Sequence, residues 1–131
     1  MKFFKKKKKP VYDTADQSFV ASVLDALTLS HGDAVLEISK DSVLTESYFA
    51  NRYGAYVKHL KTASEFTGGF FELSVMIDVV SDFENLFEIA RENSEQVAVI
   101  YLKKCVELPQ ELSGAPCKTS VASGNYKFFL F

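Results

Sequence analysis

The chain has 131 residues, 47% hydrophobic and 24% charged, a size that suits one globular domain and not two. Six of its 15 basic residues lie in the first nine positions, which carry no acid, so the rest has nine basic against 17 acidic residues and a formal charge of −8. No apolar run approaches the ~18 residues of a membrane-spanning helix, and the basic start leads into no apolar stretch of a secretory signal. We therefore predict a cytoplasmic protein.

Residues 1–10 are predicted to form a basic, disordered arm, and residues 11–131 a single globular domain. Like charges in the arm repel each other, and Pro10 disfavours helix on its N-terminal side. The arm could make a weak contact with an anionic membrane surface or with nucleic acid. The lysines that would carry this contact are Lys5, Lys6, Lys7, Lys8 and Lys9.

Two helices and a strand are predicted in the first half of the domain. A capping box of Thr14 and Gln17 begins a helix that ends near Gly32, and residues 34–39 read as a strand. A second helix is predicted from about residue 45 to residue 63. Its pattern is a row of side chains four residues apart, Tyr48, Arg52, Tyr56 and Leu60.

In the second half of the domain, the sequence predicts a parallel strand-helix-strand unit near residues 70–106. An alternating strand follows Gly69, a capping box of Ser81 and Glu84 opens a helix that Asn93 stops, and a second strand covers residues 96–106. Residues 109–124 read as a long loop, and residues 125–131 as a last strand that is paired inside the sheet or covered at a dimer contact. The predicted fold class is α+β or α/β, with a four-stranded mixed sheet and three helices.

Three carboxylates follow the clearest strand, where open α/β sheets often bind ligands: Asp78, Asp82 and Glu84. Asp82 and Glu84 have an ordinary explanation, because acids in the first turn of a helix interact favourably with its dipole. Asp78 is the least explained of the three. It could therefore belong to a ligand-binding or catalytic pocket.

Cysteine and histidine give no metal or catalytic motif. Cys105 and Cys117 are predicted to be free thiols, and His31 and His59 lack the spacing of a zinc site. His59 is predicted near the end of the second helix, where a cationic side chain suits the dipole. A nucleophilic pair of a cysteine with His59 stays open, and we predict no metal and no cofactor.

A tyrosine and arginine stripe on the second predicted helix has the composition of an interface. Together with Asp78, it supplies the predicted partner-binding residues: Tyr48, Arg52, Tyr53, Tyr56 and Asp78.

Three functions follow from these observations. The first is a non-enzymatic acidic protein-binding module, such as an immunity-type inhibitor of a basic toxin, because a negative surface speeds encounter with a basic partner. This chain resembles such inhibitors only in its size, its charge and its lack of motifs. The second is a small ligand-binding or enzymatic domain with a pocket near Asp78. The third is a peripheral membrane or nucleic-acid adaptor that acts through the lysine arm. A homodimer through an edge strand is a further possibility.

Overall fold

The computed structural model describes residues 12–42, 44, 52–102, 108–109 and 117–131. The helices that lie wholly in this part of the chain are α1 (Thr14–Ala26) and α2 (Phe83–Glu92), with a short 3-10 turn at Ala63–Glu65. The strands are β1 (Ala34–Ile38), β2 (Tyr56–Leu60), β3 (Phe71–Ile77), β4 (Ser94–Tyr101), β5 (Thr119–Ser123) and β6 (Tyr126–Leu130). They form one sheet in the order β2-β1-β3-β4-β6-β5. The α+β class is therefore confirmed.

The sheet is mixed, with four parallel strands and an antiparallel hairpin. Strands β2, β1, β3 and β4 run parallel, β6 runs antiparallel to β4, and β5 runs antiparallel to β6. The predicted parallel unit near residues 70–106 is confirmed as β3, α2 and β4, although residues 103–107 lie outside the described part. The carboxyl ends of four strands therefore share one edge of the sheet, which we call the carboxyl edge.

Among the described elements, α1 packs against one face of the sheet and α2 against the other. The α1 side buries Val20 and Leu24 of the helix against Val35, Val75 and other strand residues. The α2 side buries Phe83, Leu86, Phe87 and Ala90 of the helix against Leu36, Ile38, Met76 and Val99. The alternation predicted for β1 is confirmed, since Val35 lies on one side and Leu36 and Ile38 lie on the other. Burial of these side chains stabilises the sheet by roughly 1.5–3 kcal/mol for each large aliphatic residue.

Both helices begin close to the predicted positions, but with different caps. The α1 capping box is one residue earlier, because the Asp13 carboxylate accepts from the backbone N–H of Asp16 and the Asp16 carboxylate accepts from that of Asp13. Helix α1 ends at Ala26 and not near Gly32. Helix α2 begins after Asp82 instead of Ser81, and Asn93 ends it as predicted.

The predicted helix over residues 45–63 is wrong from residue 54 onward. Arg52 and Tyr53 are helical, but Gly54 has a left-handed φ of +59°, and the following residues form β2, which pairs with β1. A Cβ at Gly54 would overlap the His31 ring, so this close approach requires glycine. The left-handed glycine ends the helix, and pairing with β1 then overrides the four-residue pattern. Residues 45–51 lie outside the described part.

The predicted loop over residues 109–124 is wrong at its C-terminal end, and the predicted four strands become six. Strand β5 pairs with β6 through the two-residue turn of Gly124 and Asn125, where Gly124 has the positive φ that a tight hairpin turn needs. Because β6 lies between β4 and β5, the prediction that the apolar last strand is paired inside the sheet is confirmed. Of the predicted helix over residues 45–63, Arg52 and Tyr53 are helical among the described residues. Residues 110–116 of the predicted loop lie outside the described part.

Candidate ligand site at the carboxyl edge

Asp78 occupies the carboxyl edge, directly after β3. Its backbone is left-handed, with a φ of 53°, which aspartate tolerates better than most residues. One carboxylate oxygen accepts a hydrogen bond from the backbone N–H of Leu102 at 2.7 Å, and the other accepts from the Tyr12 hydroxyl at 3.2 Å. Asp78 thus ties the end of β3 to the end of β4 and to the segment before α1.

Tyr12 covers the carboxyl edge from the α1 side. Its side chain is buried and packs in the core with Val20 and Leu44. Burial raises the pKa of Tyr12 well above its usual range, and the nearby negative charge of Asp78 raises it further. The tyrosine therefore remains a neutral hydrogen-bond donor at neutral pH.

Glu37 is a buried charged residue in the middle of an otherwise apolar strand. Its Oε1 accepts from the backbone N–H of Leu44 at 2.8 Å and from the Ser42 hydroxyl at 2.9 Å, and its Oε2 accepts from the Ser39 hydroxyl at 2.7 Å. Burying a carboxylate is costly unless hydrogen bonds compensate it, and these three do so. Glu37 thereby holds Ser39, Ser42 and Leu44, which follow β1, against the end of the strand. We call these contacts the Glu37 network.

His59 extends this network to the neighbouring strand. The structure places it in β2, beside Glu37 in the register, and not near the end of a helix as predicted. Its Nε2 lies 3.0 Å from the Ser39 hydroxyl and 2.9 Å from the Ser39 carbonyl oxygen. Because a carbonyl only accepts, Nε2 carries the proton. The Ser39 hydroxyl is buried and donates to Glu37, so this cluster fixes the strand ends and is not arranged as an activated nucleophile.

An open cavity of about 500 Å³ lies at the same edge on the α2 side. Two exposed lysines, Lys40 after β1 and Lys61 after β2, stand at its wall. Its apolar wall comes from Ile38, Val79, Val80 and Leu86, and its polar wall is completed by Ser39, Thr62, Asp78 and Ser81. The Tyr101 hydroxyl fixes the backbone of this wall by donating to the Val79 carbonyl at 2.7 Å. We call this space the two-lysine cavity.

The predicted partner-binding stripe is not one surface. Arg52 and Tyr53 bind Asp25 of α1: the Arg52 Nη2 lies 2.7 Å from one carboxylate oxygen, and the Tyr53 hydroxyl donates to the other at 2.8 Å. The hydrogen bond from Arg52 lowers the pKa of Asp25, and burial raises the pKa of Tyr53 to about 12. Tyr56 is 74% exposed on the edge strand β2, and Tyr48 lies outside the described residues. Contact of these residues with a partner stays a prediction.

The remaining candidate residues lie apart from the cavity or outside the described part. Asp82 makes no side-chain capping hydrogen bond, and Glu84 lies in the first turn of α2. Cys117 is an exposed free thiol, and Cys105 and the lysines of residues 5–9 lie outside the described part. Among the described residues, no group of three or more His, Cys, Asp or Glu side chains could hold a metal ion. The two lysines and Glu37 were not among the predicted site residues.

No helix in the described ranges is both long and apolar enough to cross a membrane. The cytoplasmic location, the basic protein partner, the homodimer and the contacts of the arm stay predictions.

Comparison with solved structures identifies the fold as Rossmann-like. One similar structure is described as a "putative Methyltransferase from Pseudomonas syringae", with a TM-score of 0.57, 14% identity, and coverage of 89% of this chain and 97% of that one. Another is the 16S rRNA methylase ArmA, with a TM-score of 0.50, 8% identity, and coverage of 87% of this chain and 80% of that one. No family model matches the sequence, and no curated protein matches it. At these identities the similarity establishes the fold alone.

This similarity corrects the first predicted function. A non-enzymatic acidic module, an immunity-type toxin inhibitor, is the wrong interpretation, because the chain has the fold of solved methyltransferases and carries a cavity at the carboxyl edge. The negative charge of the body fitted a protein-binding role, but charge governs solubility and encounter and does not determine fold. The alternative prediction of a ligand-binding or enzymatic domain with a pocket near Asp78 is better supported.

Proposed function

We propose that the chain binds a small organic anion in the two-lysine cavity, as a ligand-binding or enzymatic domain of the methyltransferase fold. The observation that carries this proposal is the position of Lys40 and Lys61 at a cavity on the carboxyl edge. In open α/β sheets, ligands bind in the crevice outside the carboxyl ends of the strands. A volume of about 500 Å³ is also within the usual range for a small-molecule site.

The charges around the cavity favour an anionic ligand. Lys40 and Lys61 bring two ammonium groups to a domain whose body is otherwise strongly acidic. Asp78 is the acidic member of the wall, and its carboxylate already accepts from Leu102 and Tyr12. Phosphate and carboxylate groups are natural acceptors for lysine ammonium groups.

The remaining wall favours a ligand that also has an apolar part. Ile38, Val79 and Leu86 are buried, whereas Val80 is 46% exposed beside the lysines. Ligand sites typically combine such apolar walls with a few polar groups that fix orientation. An aromatic phosphate, such as phenyl phosphate, has both features and is a suitable probe.

A nitrogen-15 NMR titration with phenyl phosphate tests the proposal, with phenol as the uncharged probe of the same shape. We expect saturable shifts at amides of residues 39–41, 61–62 and 79–81 with phenyl phosphate, and much smaller shifts with phenol. Lys40→Met and Lys61→Met should each weaken binding about fivefold, the effect of about 1 kcal/mol for an exposed charge pair. Lys118→Met, an exposed lysine at the far hairpin, is the control. Absent or scattered shifts, or equal effects of all three variants, would refute the proposal.

A further inference from the structure

The parallel sheet has a point at which its winding reverses direction. From β1 the chain goes to β2 on one side, and then crosses to β3 on the other side of β1. Connections that leave in opposite directions open a crevice between the carboxyl ends of β1 and β3, and this crevice is where nucleotide-like ligands bind in doubly wound sheets. Its two sides differ in this chain.

On the α1 side, the protein's own residues fill the crevice. Tyr12 donates to Asp78 at the end of β3, and Glu37 in β1 accepts from the backbone N–H of Leu44 and from the hydroxyls of Ser39 and Ser42. Leu44 is 2% exposed, and Tyr12 is 7% exposed. Both pack into the core with Val20 and Val35.

A nucleoside methyl donor such as S-adenosylmethionine, which the methyltransferase fold would imply, does not fit the residues at this edge. A nucleoside ligand in such a sheet needs a glycine-rich turn after the first strand, for close approach of the backbone, and a carboxylate near the end of the second strand to accept from ribose hydroxyls. Here the turn reads Ser39, Lys40, Asp41, Ser42, without glycine. The first acid after β2 is Glu65, which accepts from the backbone N–H groups of Lys61 and Thr62.

We infer that the Glu37 network and Tyr12 permanently occupy the nucleoside position of this fold, so the chain binds no nucleoside methyl donor and takes its ligand only from the α2 side. The proposal about ligand class rests on the proposed function, whereas the closure of the α1 side does not. A ligand of the two-lysine cavity is therefore a non-nucleoside anion. The hydrogen bonds of Glu37 form part of the folded core and are not a gate.

The first test is a nitrogen-15 NMR titration of the full chain with S-adenosylhomocysteine, the stable demethylated form of the donor. We expect no saturable shift up to millimolar ligand at any amide of residues 37–44 or 60–62. Saturable shifts there would overturn the inference. If S-adenosylhomocysteine binds and phenyl phosphate does not, both proposals fail; if neither binds, only the proposed anion site fails.

The second test measures closure without any ligand, by hydrogen exchange of the Leu44 amide. This N–H donates to Glu37, so its exchange should require opening of the core. We expect it to exchange within about tenfold of the Val75 amide in β3, which opens only with the core. Exchange of Leu44 a thousandfold or more faster than Val75 would show that the segment opens locally, and would contradict permanent closure.

Discussion

The two sides of the carboxyl edge differ in how the chain treats the same strand ends. On the α1 side, Glu37 accepts a hydrogen bond from the Leu44 N–H, and Asp78 accepts from the Leu102 N–H and the Tyr12 hydroxyl. On the α2 side, Lys40 and Lys61 are exposed around a cavity. Polar residues with fixed internal partners stabilise a fold, whereas exposed charges at a cavity are available to a ligand. The comparison separates structural polar residues from candidate binding residues, and the variants below test that separation.

The largest loss of folding stability is expected from a substitution of Glu37. Glu37→Ala leaves the buried Leu44 N–H and two serine hydroxyls without their acceptor, so the free energy of unfolding should fall by about 3 kcal/mol. Glu37→Gln keeps the side-chain shape and some of the hydrogen bonds, so the free energy of unfolding should fall by less. Urea denaturation measures both, with Glu95→Ala at an exposed position as the control. A loss below about 0.5 kcal/mol for Glu37→Ala would contradict a structural role.

The second largest loss of folding stability is expected from a substitution of Asp78. Asp78→Ala removes the acceptor of the Leu102 N–H and of the Tyr12 hydroxyl, and should lower the free energy of unfolding by about 2 kcal/mol. Asp82 supplies a matched control, because it has a similar left-handed φ of 57° but makes no side-chain capping hydrogen bond. Asp82→Ala reports the conformational part together with the interaction of the carboxylate with the helix dipole, but without any side-chain capping hydrogen bond. Equal losses in the two variants would show that the hydrogen bonds of Asp78 contribute nothing.

Tyr12 is expected to make a smaller contribution to folding stability, and this contribution depends on pH. Its pKa is raised in the folded chain above the ordinary 10.0, so the folded state keeps the phenol proton to higher pH than the unfolded state does. This contribution is complete below pH 10 and is lost as the pH rises through the raised pKa. Between about pH 9 and pH 10.5, the wild type should lose about 1 kcal/mol more than Tyr12→Phe. Urea denaturation at both pH values measures the difference, and parallel losses would contradict a raised pKa.

The smallest effects on stability are expected on the open side. Lys40→Met and Lys61→Met remove exposed charges without leaving a buried partner, so each should change the free energy of unfolding by less than about 0.5 kcal/mol. Thermal and urea denaturation measure this directly. A loss comparable with that of Glu37→Ala would mean that the lysines are structural, and the contrast between the two sides would disappear.

Alternation and capping residues in the sequence correctly predicted those strands and helices whose residues interact mainly with near neighbours in the chain. The alternation of β1, the strand after Gly69, the helix stopped by Asn93 and the parallel unit near residues 70–106 are confirmed. The predicted helix over residues 45–63 failed because a four-residue row can also come from a strand preceded by a turn. Gly54 was the available signal, since a left-handed glycine ends a helix.

The candidate site was only partly predictable, for the same reason. Asp78 was identified because it directly follows a recognised strand. Lys61 was missed because β2 was taken for helix, so no strand end was placed before it. Glu37 did give a signal, as a charged residue within an apolar strand. Its partners, however, come from a segment whose return to the strand end is set by tertiary packing.

The most direct test is a crystal structure of the chain grown with millimolar phenyl phosphate. We expect the phosphate beside Lys40 and Lys61 on the α2 side, with the hydrogen bonds from Leu44 and Ser42 to Glu37 intact. A ligand bound between Tyr12 and Leu44, with the Glu37 bonds broken, would contradict the closure of the α1 side and the account built on it.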